Sequence, residues 1–119
     1  MVMNKEVKKS SEIKIRVGLN DQGFPVKIQW IAEDNPSAKK HQDCKAMLLS
    51  MFDESTRDTL KIDLWTTEMQ VVEMDRFMYQ TLRGLADTYM KATQNRELAT
   101  EMQQFVRYFG EKTEILPKE

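Results

Sequence analysis

Residues 59–89 read TLKIDLW, then TTEMQ, then VVEMDRFMYQTLRGLADTY, and they contain the clearest change of pattern in the chain. In the first seven residues apolar and polar side chains alternate, as is typical of a half-buried β-strand. After a short polar segment, apolar residues recur every three or four positions, as on one face of an amphipathic helix. We therefore predict a strand that ends at Trp65 and a helix that begins between residues 67 and 71.

A first β-hairpin is predicted upstream of this stretch. Residues 12–19 and 26–32 alternate in the same way as the strand that ends at Trp65. Between them lies the segment NDQG at residues 20–23, in which Asn and Asp cap turns and Gly accepts a positive φ. Residues 33–43 have no apolar period and include Pro36, so we interpret them as a long loop suited to contact with a partner.

A second hairpin is predicted from residues 44–52 and 59–65, which flank the charged segment at residues 53–58. Residues 44–52 are apolar at both parities, so periodicity alone does not separate a strand from a short helix there. Their short length and the alternating run that follows favour a strand. We therefore predict that Leu60, Ile62 and Leu64 face the interior.

Two helices follow the strands. Thr67 and Gln70 match a capping box for the first helix, which is predicted to end near residues 93 and 94. Asn95 is the predicted N-cap of the second helix. The predicted apolar stripe of the first helix consists of Met74, Phe77, Met78, Thr81, Leu82, Leu85 and Tyr89. That of the second consists of Leu98, Met102, Phe105, Val106 and Phe109.

The resulting fold class is α+β: a four-stranded antiparallel sheet of two hairpins, followed by two C-terminal helices packed on one face. A chain of 119 residues is long enough for one domain. We assign that domain to residues 11–116. Residues 1–10 are charged and lack an apolar period, so we predict a flexible N-terminal arm.

Composition limits the classes of partner. The net charge is −1, which favours neither nucleic acid nor an anionic membrane. No apolar run approaches the roughly 20 residues that span a bilayer, and the polar N-terminus lacks the apolar core of a secretory signal. Cys44 is the single cysteine, so no disulfide forms within the chain. These features predict a cytoplasmic protein without membrane insertion.

Catalytic and metal-binding patterns are sparse. His41 and Cys44 are three residues apart, but a zinc site needs further ligands and the sequence has no other His or Cys. A Cys–His nucleophilic pair would also need a third residue to orient it. The sequence has no glycine-rich phosphate loop and no dinucleotide-binding fingerprint. We therefore predict that the protein is not an enzyme and that it has no cofactor and no metal.

The predicted outer face of the sheet carries apolar side chains where a solvated face would be polar. We predict an interface there, either between copies in a homo-oligomer or with another protein. The alternative is that the N-terminal arm or the C-terminal tail covers this face. The candidate interface residues are Ile31, Met47, Leu49, Met51 and Trp65.

Several segments together resemble a known family. They are SEIKIRVGLND, PVKIQWIAED, KAMLLSMFDESTRDTLKIDLWTTEMQVVEMDRFMYQTL, LADTYMKAT and FVRYFGEKTEI, which extend from residue 11 to residue 115. They are similar to the gliding-motility-associated GldC proteins of Bacteroidetes, most specifically at residues 60–65. The resemblance implies a small soluble protein without known catalytic residues, so no functional site carries over.

Two functions remain open. The first is a non-enzymatic accessory protein of gliding motility that acts through contacts with motility or export proteins. The second is a chaperone that holds unfolded proteins for export, because four antiparallel strands followed by two helices is also the element order of the SecB chaperone. That second reading rests on an analogy of fold.

Overall fold

The computed structural model describes residues 4–34 and 40–117. Its elements are the strands β1 (Ile13–Leu19), β2 (Pro25–Ala32), β3 (Gln42–Cys44), β4 (Ala46–Phe52) and β5 (Thr59–Trp65) and the helices α1 (Val71–Thr93) and α2 (Arg96–Lys112). The chain divides into two compact units, Met1–Met69 and Gln70–Glu119. The class is α+β, as predicted. The assignment of a single domain to residues 11–116 and of an arm to residues 1–10 stays a prediction.

The first hairpin is confirmed. Strands β1 and β2 pair antiparallel, with Ile15 opposite Trp30 and Val17 opposite Ile28. Its turn is fixed by Asn20, whose side-chain oxygen accepts the Gln22 and Phe24 backbone N–H groups at 2.9 and 3.0 Å. Gly23 has a φ of 82°, a conformation that suits a residue without Cβ.

The strands form two small sheets, with orders β1-β2-β3 and β4-β5, so the prediction of one four-stranded sheet is wrong. The physical reason lies at Lys45, which interrupts the strand predicted over residues 44–52. Before it, Cys44 pairs with Ile28 of β2. After it, Ala46 pairs with Trp65 of β5, so the chain changes partner within two residues.

Strand β3 also corrects the loop predicted over residues 33–43. Gln42 and Asp43, which had no apolar period, pair with Trp30 and Gln29 of β2. The Gln29 side-chain amide donates to the Asp43 carboxylate at 3.1 Å, so a polar contact supports this pairing. The rest of the loop, at residues 35–39, lies outside the described residues.

The segment after β5 ties the N-terminal unit together. The Thr66 N–H donates to the Lys45 carbonyl at 2.7 Å, and the Thr67 N–H donates to the Pro25 carbonyl at 3.1 Å. Thr66 is buried, as is Ile28 of β2. In the described part of this unit, the buried residues therefore lie within β2 and just after β5.

Helix α1 ends at Thr93, as predicted, but its N-cap is Gln70 rather than Thr67. The Glu73 side chain accepts the Gln70 backbone N–H at 3.0 Å, which places the capping box three residues later than predicted. Helix α1 ends with Gln94 in the left-handed conformation at φ 59°. Asn95 caps α2 as predicted, because its side-chain oxygen accepts the Leu98 N–H at 3.1 Å.

The helices form a hairpin in which Val106 of the predicted stripes is buried and most of the other stripe residues are half-buried. In α1 the buried residues are Tyr79 and Ala86, and in α2 they are Ala99, Val106 and Gly110. Leu85, predicted to face the core, is 53% exposed. Three of these five residues are Ala or Gly, which a pattern built on large apolar residues does not reveal. The prediction that the helices cover one face of the sheet stays a prediction.

Gly110 of α2 is covered by the segment that follows the helix, at Leu116. A Cβ at this position would lie 2.7 Å from both the Leu116 Cδ1 and the Tyr79 Cε1. The Leu116 N–H donates to the Gly110 carbonyl at 3.0 Å, so the segment folds back over this residue. The missing side chain of Gly110 therefore leaves space for both Leu116 and Tyr79 beside this residue.

The two helical glycines are expected to respond in opposite ways to alanine. At Gly84, no described atom outside the local helix and chain neighbours lies within 4 Å of a Cβ, so Gly84→Ala should stabilise the protein by about 1 kcal/mol. Gly110→Ala should destabilise it by about 1–3 kcal/mol through overpacking. Urea unfolding of both variants measures this difference. Equal effects of the same sign would contradict the close packing at Gly110.

Candidate contact surface

The pairing of β4 with β5 determines which side chains share a face. Met47 lies opposite Leu64, Leu49 opposite Ile62, and Met51 opposite Leu60. Directly opposed residues of an antiparallel pair project to the same side, and the side alternates along each strand. One face of this ribbon therefore consists of Met47, Leu49, Met51, Leu60, Ile62 and Leu64, which we call the apolar face.

The apolar face is most exposed towards the β4–β5 turn. Met51 is 49% exposed, Leu60 59% and Ile62 45%. Met47, Leu49 and Leu64, at the other end, are partly buried. Exposed apolar side chains that are adjacent and free of charges are a feature of protein contact sites.

The opposite face of the ribbon is mixed. It carries Ser50 opposite Lys61 and Leu48 opposite Asp63. Within β5 the Lys61 ammonium lies 3.1 Å from the Asp63 carboxylate. Phe52 and Trp65, at the two ends, are 70% and 56% exposed. This face therefore combines two large aromatic side chains with a charge pair between them.

The predicted interface residues do not all lie together. Met47, Leu49 and Met51 share the apolar face, whereas Trp65 lies opposite Ala46 on the mixed face. Ile31 belongs to the other sheet, opposite Lys14 of β1. The role of these five residues as an interface stays a prediction.

Three residues of the apolar face, Leu60, Ile62 and Leu64, could not be assigned to it from the sequence pattern. That pattern predicted them in the interior and the β4 methionines on the outside. The register places both sets on one face. The sequence of the turn could have shown that the two sets share a face. Pairing Asp53 with Asp58 across the segment at residues 53–58 determines every later pair of the hairpin.

Asp53 organises that turn. Its Oδ2 accepts the Thr56 N–H at 2.9 Å, the Ser55 hydroxyl at 2.7 Å, and the Ser55 N–H and Thr56 hydroxyl at 3.1 Å each. These bonds, with the Thr56 backbone contributing most, lower the pKa of Asp53 from 3.8 to about 2. Arg57 adopts a φ of 61° and completes the reversal of the chain.

The hydrogen bonds to the Asp53 carboxylate should therefore weaken in acid, when the carboxylate becomes protonated. Because the Asp53 pKa is lower in the folded state, its contribution to stability is present above pH 4 and is lost as the pH falls through about 2. The carboxyl carbon shift of Asp53, followed by NMR, should titrate with a midpoint of about 2. A midpoint at the ordinary value of 3.8 would contradict the hydrogen bonding.

Two variants isolate the effect on stability. Asp53→Asn removes the charge and should abolish this part of the pH dependence, measured by urea unfolding between pH 5 and pH 2. Glu54→Gln removes a charge from the same turn without touching the bonds to Asp53, and it should keep the acid-dependent loss.

The polar candidate His41 precedes β3 and Cys44 is the last residue of that strand. His41 is exposed and Cys44 is partly buried. Burial, followed by the charge of Asp43, raises the pKa of the Cys44 thiol. Within residues 4–34 and 40–117, no group of three or more His, Cys, Asp and Glu side chains is placed to hold a metal ion.

The helical unit contains a cavity of about 600 Å³ beside the C-terminal segment. Its floor includes Tyr79 and Val106, and Arg107 at its rim lies 3.1 Å from Glu111. Arg83 lies over the Tyr79 ring, 5.6 Å from its centroid. The charged groups at the rim are of both signs, so they indicate no single class of ligand.

Comparison with known proteins agrees with the sequence resemblance. The fold and surface describe a small α+β protein whose most distinctive surface is an uncharged apolar face. The family model for gliding motility-associated protein GldC-like matches residues 25–115, which is more than half of the 119-residue chain. The chain belongs to the GldC-like family. No curated protein and no solved structure matches it. Neither described helix is both long and apolar enough to cross a membrane.

Proposed function

We propose that this protein is a non-enzymatic accessory protein of bacterial gliding motility that acts through protein–protein contacts. The observation that carries the proposal is membership of the GldC-like family, whose description is association with gliding motility. The proposed location is the cytoplasm, where a lone cysteine such as Cys44 remains reduced. The proposed partners are other motility or export proteins and further copies of this chain.

The apolar face is the proposed contact surface. Its six side chains carry no charge, so a partner does not have to desolvate an ion to bind there. Three of them, including Met51, are about half exposed and available for burial. Methionine side chains are flexible and adapt to the shape of a partner, which suits Met47 and Met51 to this role.

Gliding itself provides the test. A gliding strain without its own copy of the gene should recover spreading when it receives the wild-type gene. Met51→Asp places a charge on the apolar face and should reduce recovery at equal protein abundance. Ser50→Asp is the matched control, because Ser50 is the exposed neighbour on the mixed face. Full recovery with Met51→Asp would contradict contact through this face.

A chaperone-like holdase is the second candidate. The observation that favours it is the large exposure of Phe52 and Trp65, which gives the mixed face aromatic surface in addition to the apolar side chains on the other face. A holdase binds many unfolded chains through adaptable apolar surfaces, whereas an accessory protein binds a few defined partners.

The two candidates differ in selectivity. As a holdase, the protein would suppress the aggregation of unrelated unfolded proteins, measured by light scattering during dilution from denaturant, and Met51→Asp would weaken the suppression. Under the accessory role, aggregation should proceed unchanged. Suppression by Ser50→Asp equal to that of wild type would show that added charge alone is not responsible for a loss.

A further inference from the structure

Strand β5 has an open edge. In the described part of the chain, β5 pairs with β4 alone, in a sheet of two strands. Every β5 residue except Leu64 is exposed. A two-stranded ribbon is marginally stable by itself, and an open edge is a template for another strand. Strand β4 is partly buried over its first four residues, so β5 offers the freer edge.

The hydrogen bonds at the two ends of the ribbon show which main-chain groups point outward. The Asp53 N–H donates to the Asp58 carbonyl at 2.9 Å, and the Thr66 N–H donates to the Lys45 carbonyl at 2.7 Å. Because the direction of these groups alternates along a strand, the even-numbered β5 residues are bonded to β4. The open edge therefore presents the backbone N–H and C=O groups of Thr59, Lys61, Asp63 and Trp65.

We propose that two copies of this chain associate by antiparallel pairing of β5 with β5, centred on Ile62. The sequence of the strand is self-complementary about that residue. Lys61 of each copy lies opposite Asp63 of the other, so two pairs of opposite charges align across the interface. The same arrangement serves both copies, as a twofold interface requires.

The pairing agrees with the direction of the main-chain groups. Lys61 and Asp63 both point outward, so they form hydrogen-bonded pairs in which each residue donates one N–H and accepts another. Thr59 pairs in the same way with Trp65 of the second copy. Ile62, whose main-chain groups are bonded to β4, forms the closer non-hydrogen-bonded pair at the axis. No residue has to change its bonds to β4.

Self-pairing also doubles the apolar face. Leu60 lies opposite Leu64 of the second copy, and Ile62 lies opposite its own equivalent, all on the side of the apolar face. The result is one four-stranded antiparallel sheet with β4 at each edge. Three or more strands with an apolar face are what independent stability requires.

The edge of β1, the first strand of the three-stranded sheet, is protected against the same association. In β1, Lys14 and Arg16 are both cationic. Pairing two β1 strands about Ile15 would bring Lys14 opposite Arg16 of the second copy, and pairing about Arg16 would bring two arginines together. A register shift between Gly18 and Leu19 also interrupts this strand. Like charges and irregularities are means by which proteins block edge pairing.

The far end of β5 lies beside the start of β2. Beyond Trp65, the Thr67 N–H is bonded to the Pro25 carbonyl, so the free edge ends there. A cavity of about 330 Å³ lies at this end, lined by Phe24, Pro25 and residues 63–67. The first residue of the β5 strand of the second copy, Thr59, would come to lie beside this cavity.

The inference rests on the proposed function in that both require contact with another chain, and it names that chain as a second copy. Lys61 and Asp63 already interact within one strand, so their exchange between copies fixes the register more than the affinity. The affinity comes from main-chain hydrogen bonds and from apolar burial, as in other cases of strand addition.

A charge exchange tests the pairing. Sedimentation equilibrium of the full chain should give twice the mass of one chain for wild type. Lys61→Asp and Asp63→Lys each place like charges opposite each other twice, and each should raise the dissociation constant by about tenfold or more. An equimolar mixture of the two variants restores opposite charges in both pairs and should associate as wild type does. The double variant should also associate with itself.

A second kind of variant tests the edge without relying on charge. Lys61→Pro removes an outward N–H and should prevent pairing while β4–β5 remains intact, shown by an unchanged far-ultraviolet spectrum. Wild-type chains that stay single, or single-charge variants that associate as tightly as wild type, would overturn the inference. So would a mixture that fails to associate. Loss of pairing with normal gliding would leave the proposed function standing, because gliding is measured separately.

Discussion

The backbone bond between Thr66 and Lys45 holds the N-terminal unit in its observed form. It lies at the residue where the chain leaves the sheet of β2 and β3 and begins to pair with β5. Together with the bond between Asp53 and Asp58, it closes both ends of the β4–β5 ribbon in a single register. A shift of one residue would send every side chain of one strand to the other face. The apolar face exists because this register brings the apolar residues of β4 and β5 to the same side.

Much of the local structure could be predicted because its causes are local. The turn at Asn20 and the N-cap at Asn95 depend on side chains that bond to the backbone within a few residues. The start of α1 at Val71 lies within the predicted range, but its N-cap was predicted three residues too early because Thr67 is the more usual type of cap. The bond between Gln70 and Glu73 determines the actual start.

The division into two sheets could not be predicted from the pattern. Lys45 is an ordinary residue between two segments that both favour strands, and a change of partner leaves no mark on alternation. Only three of the six residues of the apolar face could be grouped from the sequence, because pairing between strands also leaves no mark on alternation. Met47, Leu49 and Met51 were grouped correctly because they alternate within one strand. Their grouping with Leu60, Ile62 and Leu64 depends on pairing between strands, which needs the register.

The described pairings are local along the chain, and this has a consequence for how the protein forms. Strand β1 pairs with β2, β2 with β3, and β4 with β5, while α1 pairs with α2. Each pairing joins neighbouring elements, so closing each loop costs little entropy. Proteins rich in such short-range contacts fold fast. Each hairpin can therefore form while the next is still emerging from the ribosome, and the edge of β5 is complete before the helices have been synthesised.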